Sequence, residues 1–115
     1  MNKKALKKKS TGNGKNAYDC VREELLVMQR LEHPNIIWLH EIIDDKNKSN
    51  ICLVTEYQKN GSIGDLVKSK PNGIPNHTAR GFFIDMIKAL YYCHNVIKVI
   101  HRDIKPDNIM INHNN

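Results

Sequence analysis

The chain has 115 residues and a formal net charge of +6, from 18 lysines and arginines against 12 aspartates and glutamates. This length suits one compact domain that buries about two-thirds of its unfolded surface. No apolar run approaches the ~18 residues of a membrane span, so we expect no membrane partner. The three cysteines lie far apart and outside any metal-ligand spacing, which predicts reduced thiols in an intracellular protein. The cytoplasm is the expected location, with the nucleus as the alternative.

The first 16 residues are polar and rich in lysine, glycine and asparagine, without apolar periodicity. This composition predicts a basic flexible linker over residues 1–16. Six lysines precede the first acidic residue, Asp19, and such an arm could contact nucleic acid. No aromatic residue is interleaved with the lysines. We therefore favour a solvated segment and expect no nucleic-acid partner.

Order is expected from Ala17 onward, where apolar residues recur at the spacing of one amphipathic helix. The pattern stops at Pro34, because proline disfavours continuation of a helix. Two β-prone runs follow, at residues 36–43 and 51–57, with a polar stretch between them. They predict an antiparallel hairpin.

A short helix is predicted over residues 62–68, followed by a loop that contains two prolines. Asn76 is the predicted N-cap of a second long helix, which extends to His94 and carries a wide apolar stripe. A hairpin of two strands is marginally stable in water on its own. We therefore expect most of the backbone protection of the isolated chain to lie in this long helix.

The most informative stretch is the octapeptide HRDIKPDN at residues 101–108. Transfer of a phosphoryl group to a hydroxyl needs a carboxylate near that hydroxyl, a cation near the phosphoryl oxygens and an oxygen ligand for magnesium. Asp103, Lys105 and Asn108 supply these three groups within six residues. The alternative interpretation is a solvated loop between a helix and a strand. We favour the catalytic one, because the order matches H-R-D-L-x-x-x-N with only Ile104 in place of leucine.

The octapeptide resembles the catalytic loop of eukaryotic protein kinases, and its lysine-proline pair is the serine/threonine form. The resemblance implies that Asp103 is the catalytic base, Lys105 the contact to the γ-phosphate and Asn108 a magnesium ligand. It also implies that Arg102 holds a phosphorylated activation loop. His101 would be a packing residue.

Upstream residues fall into the same register. The stretch LEHPNII at residues 31–37 resembles the junction between the regulatory helix of the family and its next strand. Glu24, ten residues before Pro34, then falls where helix C of the family carries the glutamate that pairs with the nucleotide-binding lysine. A surface carboxylate is the alternative, as the neighbouring Glu23 illustrates. We favour the regulatory role, because Glu24 lies beside the apolar face of its helix.

The run LVTEY, which contains Thr55 and Glu56, resembles the last small-lobe strand and the hinge of the family. The resemblance implies that backbone groups of Glu56 and Gln58 bind adenine. It places Thr55 behind the adenine as the gatekeeper and Met110 under the ring. At the position where many relatives contact the ribose, this chain has Ser62.

By this resemblance, residues 17–115 form an α+β, partial bilobal protein-kinase fold. Its parts are helix C, two antiparallel small-lobe strands, the hinge, large-lobe helices D and E, and the catalytic loop. The sequence contains no G-x-G-x-x-G-x-V loop, no V-A-I-K lysine, no D-F-G aspartate and no A-P-E. We expect a protein serine/threonine kinase that uses ATP and Mg²⁺, present here as a fragment that is inactive alone.

Two other hypotheses about the function stay open. One is a non-catalytic truncated kinase that acts as a binding or regulatory module, and the other is a nucleic-acid binder that uses the basic arm. The kinase resemblance implies a protein substrate. Residues 41–45, EIIDD, and the basic segment are similar to the calcium/calmodulin-dependent protein kinase kinases. That subfamily makes another kinase a candidate substrate and calmodulin a candidate partner.

Overall fold

A computed structural model describes residues 2–3 and 17–112 of the chain. In chain order, its elements are α1 (Ala17–Met28), β1 (Leu39–Ile43), β2 (Cys52–Thr55), α2 (Ile63–Ser69), α3 (Asn76–Tyr91), a π-helical segment (Tyr92–Ile97) and a 3-10 turn (Pro106–Asn108). This set of helices with one antiparallel pair of strands confirms the predicted α+β class. No helix within the described residues is both long and apolar enough to cross a membrane.

The chain divides into two compact units. Unit 1 comprises Met1–Glu32 and Ile37–Glu56, and unit 2 comprises His33–Ile36 and Tyr57–Asn115.

Unit 1 has a small apolar cluster at its centre. Leu25 is 4 % exposed, and Leu39 and Ile51 are each 2 % exposed. Tyr18 and Val21 pack against these three residues. Tyr18, Val21 and Leu25 are three to seven positions apart and therefore share one face of α1. The cluster thus joins α1 to the hairpin.

The hairpin is antiparallel, as predicted, with Leu39 opposite Thr55 and Glu41 opposite Val54. Its strands, of five and four residues, are shorter than the predicted runs. A β-bulge between Leu39 and Glu41 shifts the register. A bulge leaves one residue of its strand unpaired and bends that strand. Regular pairing in β1 therefore begins after the bulge, several residues beyond the predicted start at residue 36.

The first helix ends earlier than its apolar spacing predicts. α1 stops at Met28, and tight turns carry the chain on to Leu31. In these turns, the N–H groups of Arg30 and Leu31 donate to the carbonyls of Val27 and Met28, at 3.0 and 3.2 Å. Each bond spans three residues, the spacing of a 3-10 turn rather than of an α-helix.

Of the predicted basic linker at residues 1–16, only Asn2 and Lys3 lie in the described part of the chain; the rest is outside it. Both residues contact the β1–β2 loop. Asn2 forms an isolated antiparallel bridge with Asn50, and the Lys3 N–H donates to the carbonyl of Ser49 at 2.7 Å. Lys3 is buried, with 7 % of its surface exposed.

In unit 2, α2 begins with a capping box between Ser62 and Asp65. The Asp65 N–H donates to Ser62 Oγ at 3.1 Å, and the Ser62 N–H donates to Asp65 Oδ2 at 3.0 Å. These bonds satisfy N–H groups that the start of a helix leaves unpaired. Hydrogen bonds from the side chain and backbone of Ser62 also hold the pKa of Asp65 below its ordinary value.

The second long helix, α3, begins at Asn76, and the prediction that Asn76 is its N-cap is wrong. Pro75 occupies the N-cap position and makes no side-chain capping bond. The backbone of Pro75 is extended, and its carbonyl accepts the N–H of Ala79 at 3.0 Å. Asn76 is therefore the first helical residue. Because proline has a fixed φ and no N–H, it can end the extended loop directly at the start of the helix.

The C-terminal part of the predicted long helix is π-helical, from Tyr92 to Ile97. The segment ends at Lys98, whose backbone is left-handed with φ 65°. Cys93 in this segment is buried, whereas no side chain of α3 is. The predicted apolar stripe of α3 is only partly covered: Phe82, Met86 and Leu90 are half-buried, whereas Phe83 is 58 % and Ile87 46 % exposed.

Candidate active site

The end of the octapeptide is joined to the start of α2 by two backbone hydrogen bonds. The Ile63 N–H donates to the carbonyl of Ile109 at 2.8 Å. The Ile111 N–H donates to the carbonyl of Gly61 at 2.9 Å. Ile111 is buried, with 7 % of its surface exposed. These contacts fix the chain immediately after Asn108.

A glycine allows α2 to approach the octapeptide closely. A Cβ at Gly64 would lie 3.2 Å from Cγ and 3.3 Å from the backbone nitrogen of Asp107. Lys68, one turn further along α2, places its ammonium 3.4 Å from Oδ1 of Asp107. The ion pair is exposed and therefore stabilises little. The close approach, together with the two backbone bonds, sets the position of the loop.

The second half of the octapeptide is a 3-10 turn, Pro106–Asn108. The Asn108 N–H donates to the carbonyl of Lys105 at 2.9 Å. Lys105 is extended, with φ −156° and ψ 158°, as expected of a residue that precedes proline. The change from extended backbone to a tight turn brings the side chains of Lys105 and Asn108 back towards Asp103.

Asp103 is the point on which the other two predicted catalytic residues converge. Its Oδ2 lies 2.9 Å from Nζ of Lys105 and accepts a hydrogen bond from Nδ2 of Asn108 at 2.8 Å. The same Nδ2 donates to the backbone oxygen of Asp103 at 2.9 Å. The side chain of Asp103 is 61 % exposed, so a second molecule can reach the carboxylate.

Hydrogen bonds from Lys105 and then from Asn108 hold the pKa of Asp103 below its ordinary value. The carboxylate is therefore ionised at neutral pH. The backbone N–H of Asp103 donates to Nδ1 of His101 at 3.2 Å. His101 itself is exposed, so the prediction that it is a packing residue is wrong for this structure. Its ring caps a turn of the loop instead.

Arg102 adopts a left-handed backbone, with φ 67°. A residue with a Cβ rarely adopts this conformation, and such strain is concentrated at functional sites. Lys98, at the end of the π-helical segment, shares this property. Both left-handed residues lie in the five residues that precede Asp103, so the direction of the chain changes sharply before the carboxylate. The predicted role of Arg102 towards an activation loop stays a prediction.

Glu24 lies on α1 in unit 1, directly before the buried Leu25. Its side chain is exposed. The helix therefore keeps the apolar residue inward and the carboxylate outward, and the predicted pairing of Glu24 with a lysine stays a prediction.

The predicted hinge residues lie at the end of β2 and beyond. Thr55 is opposite Leu39 in the hairpin, and the Glu56 N–H donates to the carbonyl of Trp38 at 3.2 Å. In unit 2, the carbonyl of Gln58 accepts the N–H of Gly61 at 3.3 Å. Their roles towards a nucleotide stay predictions.

Met110 and Ser62 form an isolated antiparallel bridge in unit 2. Met110 is 38 % exposed, whereas Ser62 is 4 % exposed and its hydroxyl donates to Oδ2 of Asp65 at 2.7 Å. The Ser62 hydroxyl is thus used to cap the start of α2, through its hydrogen bonds to Asp65.

Sequence reasoning missed the residues that support the loop from α2, namely the Ser62–Asp65 cap and the close approach of Gly64 to Asp107. The pattern S-x-x-D at the start of a short helix was the available signal for the cap. Nothing in the sequence indicates which residue faces Gly64, because that contact joins segments more than forty residues apart. Among residues 2–3 and 17–112, no three His, Cys, Asp or Glu side chains form a group able to hold a metal ion.

Comparison with known proteins identifies this arrangement. A sequence model of the family described as the protein kinase domain matches residues 1–115. The chain belongs to the protein kinase family. The CBL-interacting protein kinase 25 of Oryza sativa subsp. japonica is 39 % identical over 99 residues, which cover 83 % of this kinase chain and 19 % of the relative.

Two further relatives are kinases by their names. The CBL-interacting serine/threonine-protein kinase 21 of Arabidopsis thaliana is 40 % identical over 91 residues, 79 % of this chain and 21 % of the relative. The calcium/calmodulin-dependent protein kinase kinase of Caenorhabditis elegans is 35 % identical over 97 residues, 84 % of this chain and 17 % of the relative. These relatives confirm the resemblance to the protein kinase family, and the Arabidopsis relative is a serine/threonine-protein kinase by its name. The chain spans between 13 and 21 % of the length of these and other curated relatives that it matches.

Proposed function

We propose that this chain carries the catalytic loop of an ATP-dependent protein serine/threonine kinase, which transfers the γ-phosphoryl group of ATP to a Ser or Thr hydroxyl of a protein. One observation supports this function above the others. Lys105 and Asn108 converge on the same oxygen of the exposed carboxylate of Asp103. A base, a cation and an amide ligand are thereby held within one loop of a family that performs this reaction.

In the proposed reaction, the hydroxyl oxygen of the substrate forms a bond to the γ-phosphorus, and the bond from that phosphorus to the bridging oxygen of ATP breaks. The hydroxyl proton passes to the carboxylate of Asp103, and ADP leaves with the electron pair of the broken bond. Asp103 is ionised at neutral pH, as an acceptor of this proton must be, and because its lowered pKa makes it a weak base, its contribution is the position of the carboxylate. Lys105 stabilises negative charge on the transferred group.

Kinases of this family use ATP with Mg²⁺, and the donor chemistry of Asn108 fits the metal. Its amide nitrogen is committed to Asp103, which directs the amide oxygen away from that residue. An amide oxygen is a hard ligand of the kind that Mg²⁺ accepts. When bound, Mg²⁺ neutralises phosphate charge. Asn108 is the residue of this chain that we assign to it.

The remaining predicted contacts belong to the same proposal. We assign adenine contacts to Thr55 and the backbone of Glu56 in unit 1, and to Met110 and the backbone of Gln58 in unit 2. Glu24 orients the lysine that holds the phosphates, and Arg102 binds a phosphorylated activation loop.

We also propose a protein substrate, with another kinase as the candidate, and calmodulin as a candidate partner. Similarity to the calcium/calmodulin-dependent protein kinase kinase of Caenorhabditis elegans supports both. The cytoplasm, or alternatively the nucleus, is the proposed location.

The 115-residue chain alone is proposed to be inactive, since its sequence contains neither the V-A-I-K lysine nor the D-F-G aspartate. Activity is therefore tested in a hybrid kinase domain, in which this chain replaces the segment of the rice relative that it matches. Phosphorylation of a peptide by the hybrid, lost on Asp103→Asn, supports the proposal. A correctly folded hybrid without activity favours the alternative of a non-catalytic kinase module. ATP affinity of the isolated chain, measured by calorimetry, would support that alternative further.

A further inference from the structure

Asp44, directly after β1, is the meeting point of side chains from two separate parts of unit 1. Its Oδ1 lies 2.5 Å from Nζ of Lys3, in the N-terminal residues. Its Oδ2 accepts a hydrogen bond from the hydroxyl of Tyr18, on the first turn of α1, at 2.5 Å. Arg22, one turn further along α1, places Nε 3.7 Å from the same oxygen. We call Lys3, Tyr18 and Asp44 the Asp44 clamp.

The clamp is sheltered from solvent. The side chain of Lys3 is 9 % exposed and that of Asp44 is 16 % exposed, whereas Arg22 is 57 % exposed. Oδ1 of Asp44 is buried, and the only partner that the described residues give it is the ammonium of Lys3. Lysine is almost never buried unless it is paired. Lys3 and Tyr18 therefore carry the clamp, and the exposed Arg22 adds little.

Lys3 is held from several directions, so it is a fixed point rather than a solvated end. Its ammonium also donates to the backbone oxygen of Asp45 at 2.5 Å. Its N–H donates to the carbonyl of Ser49 at 2.7 Å. The pKa shifts of Asp44 and Tyr18 agree with this geometry. The pKa of Asp44 is lowered by Lys3 and Tyr18, and that of Tyr18 is raised by its hydrogen bond to Asp44.

The clamp lies at one end of α1, and the apolar cluster holds the helix two turns later. Tyr18 and Leu25 are seven residues apart and share one face. Leu25 is buried against Leu39 and Ile51. A helix held at two points on one face cannot tilt or rotate unless one of the points opens. Glu24 immediately precedes the second of these points.

We propose that Asp44 is a positioning residue for α1, which fixes the first turn of the helix and so sets the placement of Glu24, without itself touching nucleotide or substrate. The inference rests on the proposed function only for the role of Glu24. The placement of α1 by Asp44 stands on the contacts of unit 1 alone, and the two parts are tested separately.

The first test uses the 115-residue chain and two matched variants, Asp44→Asn and Asp45→Asn. Both remove one carboxylate, from adjacent residues. Labelling of tyrosine with carbon-13 follows the titration of Tyr18, and hydrogen exchange follows the amides of α1 and α3. In Asp44→Asn, the pKa of Tyr18 should fall towards its ordinary value of 10.0. Exchange in α1 should become at least about tenfold faster, because a charged hydrogen-bond acceptor is lost. Exchange in α3 should be the same in Asp44→Asn as in wild type. In the Asp45→Asn variant, exchange in α1 and the pKa of Tyr18 should both stay as in wild type.

A Tyr18→Phe variant keeps the ion pair between Lys3 and Asp44 and removes one hydroxyl. It should accelerate exchange of the hydrogen-bonded amides of α1, which begin at about Val21, even if Asp44→Asn unfolds unit 1. Unchanged exchange in α1 in both Asp44→Asn and Tyr18→Phe would overturn the clamp, whatever the activity of the hybrid domain.

The second test uses the hybrid kinase domain and a double-mutant comparison. Asp44→Asn should lower kcat by about ten- to a hundredfold, the effect of misplacing a catalytic group by about 1 Å. In a Glu24→Gln background, the same substitution should lower kcat less than about twofold, because residues that act through one another are not additive. Asp44→Glu should recover part of the lost activity. Equal losses in both backgrounds would overturn the link to Glu24. If the hybrid is inactive with Asp44 intact, the proposed function fails while the exchange test still decides the clamp.

Discussion

The side-chain amide of Asn108 donates to both the backbone oxygen and the carboxylate of Asp103, at 2.9 and 2.8 Å. The two residues are five positions apart, so these bonds close the octapeptide into a small ring. The candidate base and the candidate magnesium ligand therefore cannot move independently. Any displacement of the 3-10 turn is transmitted directly to the carboxylate.

Replacement of Asp103 with asparagine in the hybrid kinase domain should reduce phosphate transfer by at least about a hundredfold, the typical contribution of a positioned base. Asparagine keeps the shape of the side chain but cannot accept the hydroxyl proton. A peptide phosphorylation assay measures the loss, and circular dichroism establishes that the fold persists.

The matched control for this substitution is Asp85→Asn, which removes a carboxylate from α3. Asp85 forms an ion pair with Lys88 at 3.2 Å on the surface of that helix. Its loss should leave activity within about threefold, since surface pairs contribute little. Comparable activity of Asp103→Asn and Asp85→Asn would remove Asp103 from the role of base.

The lowered pKa of Asp103 predicts how the loop responds to acid. A carboxylate whose pKa is lower in the folded state stabilises that state above its unfolded pKa, which is about 3.9. This stabilisation is lost as the pH falls through the lower, folded pKa. Replacement of Lys105 with methionine should raise the pKa of Asp103, because the first cause of the shift is removed. Carbon-13 NMR of the Asp103 carboxyl measures both titrations, and an unchanged pKa in Lys105→Met would contradict the contact.

Replacement of Ser62 with alanine should destabilise α2 by about 1 kcal/mol, the usual cost of losing an N-cap. Because the start of α2 is bonded to the end of the octapeptide, the backbone amides of Ile63 and Ile111 should also exchange faster. Hydrogen exchange of the 115-residue chain checks both effects.

Ser69→Ala is the control, since it removes a hydroxyl from the other end of α2. That hydroxyl donates to the carbonyl of Leu66 at 2.8 Å and is exposed. We expect little change at Ile111 in this variant. An equal effect of Ser62→Ala and Ser69→Ala would show that the cap has no particular connection to the loop.

Replacement of Thr55 with methionine in the hybrid kinase domain should weaken bulky ATP-competitive inhibitors much more than ATP itself. The reason is steric, because a small side chain behind the adenine leaves space that a larger one fills. Inhibition constants and the KM for ATP, measured on the same variant, make the comparison. Equal weakening of both would show that Thr55 is not the gatekeeper.

The burial pattern reverses the expectation that the long helix is the best-protected element. No side chain of α3 is buried, whereas Leu25, Leu39 and Ile51 form a cluster in unit 1. Helical hydrogen bonds without side-chain burial are marginal at this length. In the isolated chain, we therefore expect slower exchange across the paired residues of β1 and β2 than in α3. Faster exchange in the hairpin would restore the original expectation.

The sequence was enough to predict the hairpin, the short helix and a candidate catalytic loop in the octapeptide, because each depends on a local pattern. β-prone runs on either side of a polar stretch located β1 and β2, and a known order of chemical groups located Asp103, Lys105 and Asn108. The strand ends were less accurate, since the bulge between Leu39 and Glu41 is set by pairing across the hairpin.

Other features could not be predicted because they depend on contacts between distant residues. Lys3 is buried against Asp44, although a lysine among five others reads as solvated. The π-helical segment at Tyr92–Ile97 changes the number of residues per turn, which apolar spacing at 3.6 residues does not reveal. The convergence of side chains on Asp103 follows from the fold of the loop, and the sequence specified only their order.

Cys93 gives the π-helical segment a built-in chemical reporter. Its thiol is buried, and burial raises its pKa, so the reactive thiolate is scarce in the folded chain. Cys52 is exposed on β2. A maleimide should consume the exposed Cys52 promptly, then the half-buried Cys20 of unit 1, and reach Cys93 only when unit 2 opens locally. The rate of alkylation at Cys93, followed by peptide mapping, therefore times that opening without any substitution in the chain.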